Sequence, residues 1–250
     1  MMGTVETRGA RMHVQVGDVA MYYEDDGDGD PLVLLHPGLA DSRAWEANVP
    51  GLSRRFRVLR PDQRGHGRTA DVAGPITLDL LVADTVAFLE QVAGGPAPVV
   101  GHSTGGFLAL AVALRRPDLV PRLVVSASVF HHDAWAPGVL DLDEETTAFF
   151  AEYHGAVSPD APEHFPEFAA KMDRMHRSEP AFTAADLAAY PHPALVMVGD
   201  ADTEIPIEHT LAMRDGLPDA QLAVVPGADH GGPAEKTAVY DHLLLDFLTG

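Results

Sequence analysis

The chain has 250 residues, 46% of them hydrophobic, with no cysteine and 37 acidic against 17 basic side chains, a formal net charge of −20. That length and composition suit one large α/β domain with a sizeable core, and the missing thiols exclude disulfides, thiolate metal sites and cysteine nucleophiles. So acidic a surface repels phosphate backbones and anionic lipid, which argues against nucleic acid and membrane partners.

The elements can be read in chain order from period and punctuation. Met1–Arg11 is charged and carries no apolar stretch long enough for a signal-peptide core, and no apolar run is long enough to span a bilayer, so a cytoplasmic location is expected. Met12–Val16 and Val19–Glu24 read as a hairpin turning at Gly17-Asp18. The acidic run Glu24–Asp30 looks like a calcium loop. Counting from Asp26, however, puts Pro31 where glycine is needed and Pro37 where the last glutamate belongs. A solvated loop between strands is expected there instead. Leu32–Leu35 reads as a buried parallel strand, Arg43–Leu52 as a helix and Phe56–Arg60 as a strand. Thr77 can cap a helix carrying Leu78, Leu81, Val82, Thr85, Leu89 and Val92 on one face.

Pro98–Val100 reads as a strand, Phe107–Leu114 as an apolar helix and Leu123–Ser126 as the next strand. Residues 128–190 lose this alternation; they hold helical patterns such as Phe165, Phe168, Met172 and Met175, and are expected to form an inserted helical lid. Alternation resumes with the strand Ala194–Val198, a helix near Glu208–Asp215, the strand Gln221–Val225 and a last helix patterned on Val239, Leu243 and Phe247. Repeated strand–helix alternation predicts a mostly parallel α/β sheet with helices on both faces. Residues 1–127 and 191–250 would form its core.

The chemistry centres on Gly101-His102-Ser103-Thr104-Gly105, a G-x-S-x-G pattern. Alone the pattern is weak, but here it joins a buried strand to an apolar helix. A serine in so sharp a turn needs small neighbours, which Gly101, Gly105 and Gly106 supply, and the backbone N–H of Thr104 then points at a developing oxyanion. Ser103 is therefore the candidate nucleophile. It needs a base, and the base an orienting acid. Further along the chain, one strand ends in Gly199-Asp200-Ala201-Asp202 and the next in Asp229-His230. Polar side chains just beyond the carboxyl ends of parallel strands are where such sheets build sites. His230 is the candidate base; Asp202 is the candidate acid, with Asp200 and Glu204 as competing neighbours.

These stretches, together with His36-Pro37-Gly38 through Trp45 and Asp62-Gln63-Arg64-Gly65-His66-Gly67-Arg68, resemble the α/β-hydrolase superfamily, in particular its small esterase, lactonase and cofactor-free haloperoxidase-like branch. The resemblance implies an α/β-hydrolase sheet, no cofactor, and the acid at the fourth position of the G-x-x-D stretch, Asp202. It implies a structural role for the Arg64–Arg68 turn, His66 included. Many relatives have His-Gly before the oxyanion residue. Here Pro37, which lacks an N–H, takes the glycine position, so the second oxyanion donor falls on Gly38, with Leu39 as fallback. The expected substrate is a small ester or lactone. Perhydrolase or haloperoxidase-like activity, C–C bond hydrolysis and a non-enzymatic ligand receptor are the alternatives. Phe130, Trp135, Phe149 and Phe150 could line an apolar pocket. His131-His132-Asp133 suggests a metal at first sight, but adjacent histidines are expected to diverge and no second ligand pair exists; no metal is expected.

Overall fold

The computed structural model describes residues 10–250, with side chains from residue 12; the reading of Met1–Arg11 lies outside the described residues except for the backbone of its last two. Eight strands, β1 (Ala10–Val16), β2 (Val19–Asp26), β3 (Asp30–Leu35), β4 (Phe56–Pro61), β5 (Val99–His102), β6 (Leu123–Ser126), β7 (Ala194–Gly199) and β8 (Ala220–Val225), form one sheet. Their order is β1-β2-β4-β3-β5-β6-β7-β8. The first two strands run antiparallel to their neighbours and the rest are parallel.

The central strands carry unbroken apolar runs, Leu32–Leu35, Val99–Val100 and Leu123–Val125, because both faces are covered. Alternate side chains enter opposite cores: Val33, Leu35, Val99, Leu123 and Val125 join one cluster, while Leu32, Leu34, Val100 and Val124 join the other. The helices Leu78–Phe88 and Thr104–Arg115 cover the first face. Thr77 caps the former by accepting from the Leu80 N–H at 3.3 Å. The second face is covered by the last helix, Thr237–Thr249, which buries Tyr240, Leu244, Phe247 and Leu248.

Three local expectations change. The stretch Arg43–Leu52 divides into a 3-10 turn, Ser42–Trp45, and a short helix, Val49–Leu52, because Pro50 has no N–H with which to continue one helix. The apolar face of the last helix is rotated from the expected stripe: Val239 is 44% exposed. The expected solvated loop at 24–30 is shorter than read, since β2 runs through Asp26. Glu24 and Asp26 are buried and both accept from Arg60, so their charge serves a packed ion cluster rather than solubility.

Residues 128–190 add no strand to the sheet. They contribute one isolated bridge, His131 to Ala181, and the helices Glu144–Gly155, Phe165–His176 and Ala184–Leu187. The middle helix buries Phe165, Phe168, Met172 and Met175, the amphipathic pattern visible in the sequence. Polar contacts seat this segment on the sheet-forming part of the chain: Arg43 donates to the Tyr153 carbonyl at 2.6 Å. The Asp71 carboxylate, itself out of solvent, accepts from Lys171 at 2.6 Å and lies 2.7 Å from His164 Nε2.

Candidate active site

Ser103 sits between β5 and the helix Thr104–Arg115 with φ 53° and ψ −119°, a conformation costly for any residue with a Cβ. The surroundings over-determine it. Its N–H donates to the Ser126 carbonyl at 2.9 Å, and its own carbonyl accepts from the Gly106 N–H at 2.8 Å and the Ser128 hydroxyl at 2.6 Å. The flanking glycines are required by crowding. A Cβ on Gly101 would strike the backbone of Gly105, one on Gly105 the carbonyls of Leu35 and His36, and one on Gly106 the Ser128 Cβ at 2.6 Å.

The loops after β7 and β8 bring Asp202 and His230 together, with Asp202 Oδ2 at 3.0 Å from His230 Nδ1. The other Asp202 oxygen accepts from the N–H groups of Glu204 and Ile205 at 2.8 and 3.0 Å. Burial pushes the Asp202 carboxyl up, but the His230 hydrogen bond and charge, with these two amides, outweigh it and hold it below the ordinary carboxylate value. For His230 the balance runs the other way. Burial lowers its pKa, while the Asp202 hydrogen bond and the Glu204 and Asp202 charges raise it by more. Asp200, the competing neighbour, instead accepts from the Gly227 N–H, and so braces the two loops against each other.

Three further side chains complete the cluster. Glu204, read from the sequence only as a rival for the acid position, places Oε2 3.3 Å from His230 Nε2. His102 spans its ring between the His230 carbonyl, 2.8 Å from Nε2, and the Ser126 hydroxyl, 3.2 Å from Nδ1; burial lowers its pKa to about 3. His176, on the middle helix of segment 128–190, lies with Nε2 2.8 Å from Thr104 Oγ1, and burial lowers it to about 4. His102 could have been singled out from its place inside the G-x-S-x-G pattern. Nothing in the sequence marks His176.

A cavity of about 470 Å³ opens above Ser103. Gly38 and Thr104 both border it. A Cβ on Gly38 would meet Thr104 Oγ1 at 2.6 Å and the His176 ring at 3.1 Å, so glycine leaves room there for these two hydrogen-bonded side chains. Trp135, Phe149 and Phe150 line the cavity; Phe130, also read from the sequence as a pocket residue, does not. It is stacked on His209 at 4.1 Å and its N–H donates to His209 Nε2 at 3.0 Å, so its ring is spent on packing behind the site. His66 does not border the cavity either; its ring packs edge-on against Phe168 at 4.7 Å. The rings of His131 and His132, expected to diverge, in fact stack at 4.5 Å, because a 3-10 turn begins between them.

A mostly parallel sheet with a strained serine between a central strand and its helix, and a histidine–carboxylate pair on the loops after its last two strands, defines a hydrolase of the α/β class. The chain belongs to the Alpha/beta hydrolase family, whose sequence profile matches residues 32–240. It is similar to the 2-hydroxymuconate semialdehyde hydrolase of Pseudomonas sp. (strain CF600), at 30% identity over 253 aligned positions covering 90% of this chain and 88% of that one. Among solved structures it resembles a meta-cleavage product hydrolase from Pseudomonas fluorescens IP01, with a TM-score of 0.78 at 23% identity over 97% of this chain and 98% of that one. It also resembles the enol-lactonase from Burkholderia xenovorans LB400, with a TM-score of 0.78 at 22% identity over 95% and 100% of the two chains. The fold is common to all of them. No helix among the described residues is long and apolar enough to cross a membrane.

Proposed function

We propose that the protein hydrolyses small carboxylic esters or lactones through an acyl-enzyme on Ser103. The observation that carries this reading is the strained Ser103 at the floor of an apolar cavity beside the His230–Asp202 pair. His230 Nε2 takes the Ser103 proton as Oγ attacks the carbonyl carbon, and the Gly38 and Thr104 amides receive the oxyanion. The imidazolium returns its proton to the departing alkoxide, and water then releases the acid with His230 again as base. Asp202 holds the Nδ1 proton in place and stabilises the imidazolium. Residues 128–190 act as the lid that walls the cavity.

A second reading, hydrolysis of a carbon–carbon bond, is favoured by the relative named for 2-hydroxymuconate semialdehyde. An alkoxide leaves with one proton from His230. A carbon leaving group needs in addition an electron sink in the substrate, so the ester or lactone asks less of these residues. The test is a panel of 4-nitrophenyl esters and lactones of graded acyl length, assayed without peroxide and with chelator present. Multiple turnover is the expected result. Bromination with peroxide and acetate outpacing ester cleavage would replace this reading with a perhydrolase, and single turnover would replace it with a receptor.

The pH profile is a further check. A base raised above its ordinary value of 6.5 by Asp202 and Glu204 must be neutral to act, so the acid limb of kcat/KM is expected above that value. Glu204→Gln removes one of the raising charges, and should move the limb to lower pH. A limb that stays in place or moves up in this variant would show that Glu204 does not act on the base.

A further inference from the structure

The charges around the cavity point one way. Its lining contains two carboxylates, Asp173 and Glu204, and three histidines, His102, His176 and His230; among the described residues no lysine or arginine borders it. Three cations on the segments that line it have carboxylate partners of their own. Arg43 is held by Asp41 at 2.7 Å and stacked over the Tyr153 ring at 3.8 Å. Lys171 is held by Asp71 at 2.6 Å. Arg177, 48% exposed at its side chain, is shared between Asp141 and Asp173 at 2.7 and 2.8 Å, so a single guanidinium answers two carboxylates. His102 and His176 are driven by burial to about 3 and about 4, and so are neutral near pH 7. His230 already faces Asp202 and Glu204. Uncharged residues make up the rest of the wall, most of them apolar, with Trp135, Leu140, Leu142, Phe149, Phe150 and Met172.

We propose that this cavity accepts acyl compounds that are uncharged or cationic away from the scissile bond and rejects those that carry a carboxylate there, with Glu204 and Asp173 as the specificity-determining residues. This rests on the ester or lactone reading above and narrows its substrate class. A carboxylate entering the cavity gives up its water, meets no cation in exchange, and lies near two like charges. An ester, amide or aliphatic group in the same place loses little on desolvation and gains the apolar wall. A quaternary ammonium group has aromatic faces and carboxylates to receive it.

The experiment compares three 4-nitrophenyl esters of matched length: methyl adipate, adipate carrying a free carboxylate, and trimethylammoniohexanoate. Each kcat/KM is divided by the ester's own hydroxide-catalysed rate. Without a partner for its charge, the free carboxylate ester should fall below the methyl ester by about 100-fold, while the cationic ester should equal or exceed the methyl ester. Glu204→Gln, Asp173→Asn and the cavity-lining substitution Leu142→Arg should each narrow the gap between anion and uncharged ester, Leu142→Arg the most, by roughly tenfold. A free carboxylate ester turned over as well as the methyl ester overturns the proposal, and a gap unchanged in all three variants overturns the assignment to these residues. Binding gives a second readout that needs no turnover: in Ser103→Ala, dimethyl adipate is expected to bind more tightly than adipate. Adipate binding as tightly as the diester would overturn the proposal. Absence of turnover for every ester, with that binding preference intact, would instead remove the hydrolysis reading.

Discussion

Ser103→Ala is expected to lower kcat for ester cleavage by about 10⁵–10⁶-fold, the scale of loss found when a triad nucleophile is removed. No neighbouring hydroxyl is free to replace it. Thr104 Oγ1 is engaged by His176 at 2.8 Å, Ser128 Oγ donates to the Ser103 carbonyl at 2.6 Å, and Ser126 Oγ lies 3.2 Å from His102. Residual activity would come from binding and the oxyanion amides alone. A fluorophosphonate should add once to the wild-type protein, at Ser103 by peptide mapping, and not at all to the variant. A loss in kcat of less than about tenfold, or label on another serine, would remove Ser103 from the mechanism.

Asp202→Asn is expected to cost about 10⁴-fold in kcat with the fold intact, as for other triad aspartates. The two backbone N–H groups of Glu204 and Ile205 already direct one oxygen of this side chain as an acceptor. An asparagine obeying them turns its NH2 toward His230 Nδ1. The imidazole must then accept at Nδ1 and carry its proton on Nε2, the wrong tautomer to receive a proton from Ser103. Asp200→Asn removes one charge from an exposed bracing contact to the Gly227 N–H, and should change kcat by only a few-fold. Steady-state kinetics on both variants, with circular dichroism to confirm folding, decides between them. A larger loss at Asp200 would move the acid two residues along the loop.

Glu204 alters how such a site behaves before substrate arrives. Its carboxylate lies 3.3 Å from His230 Nε2, the atom that takes the serine proton in the proposed mechanism. Burial raises the Glu204 pKa and its Asp202 neighbour raises it further, against the lowering effect of His230. The imidazole is flanked by carboxylates on both nitrogens, which favours its protonated form. On the proposed mechanism, Glu204 links the base to the substrate filter through one side chain.

The strands, their parallel pairing and the position of Ser103 were legible in the sequence because they depend on local patterns. A strand buried on both faces must be apolar throughout, as in Leu32–Leu35 and Ala194–Val198, and a serine forced into a left-handed turn must be flanked by glycines. Asp202 and His230 could be named for the same reason, since each follows a strand directly and the sheet carries both to one edge. What only the tertiary structure decided are contacts between residues that no period relates. His102 reaches the carbonyl of a residue 128 positions away, and Thr104 a histidine 72 positions away. The direction of Phe130, away from the cavity and onto His209, was set by a helix from another part of the chain. So were the fates of Glu24 and Asp26: a run of acids looks solvated until the fold places Arg60 between two of them. That no lysine or arginine among the described residues borders the cavity is likewise invisible in a composition, because it depends on where each cation finds its partner, and the chain's folding brings those partners together at distances that sequence spacing does not encode.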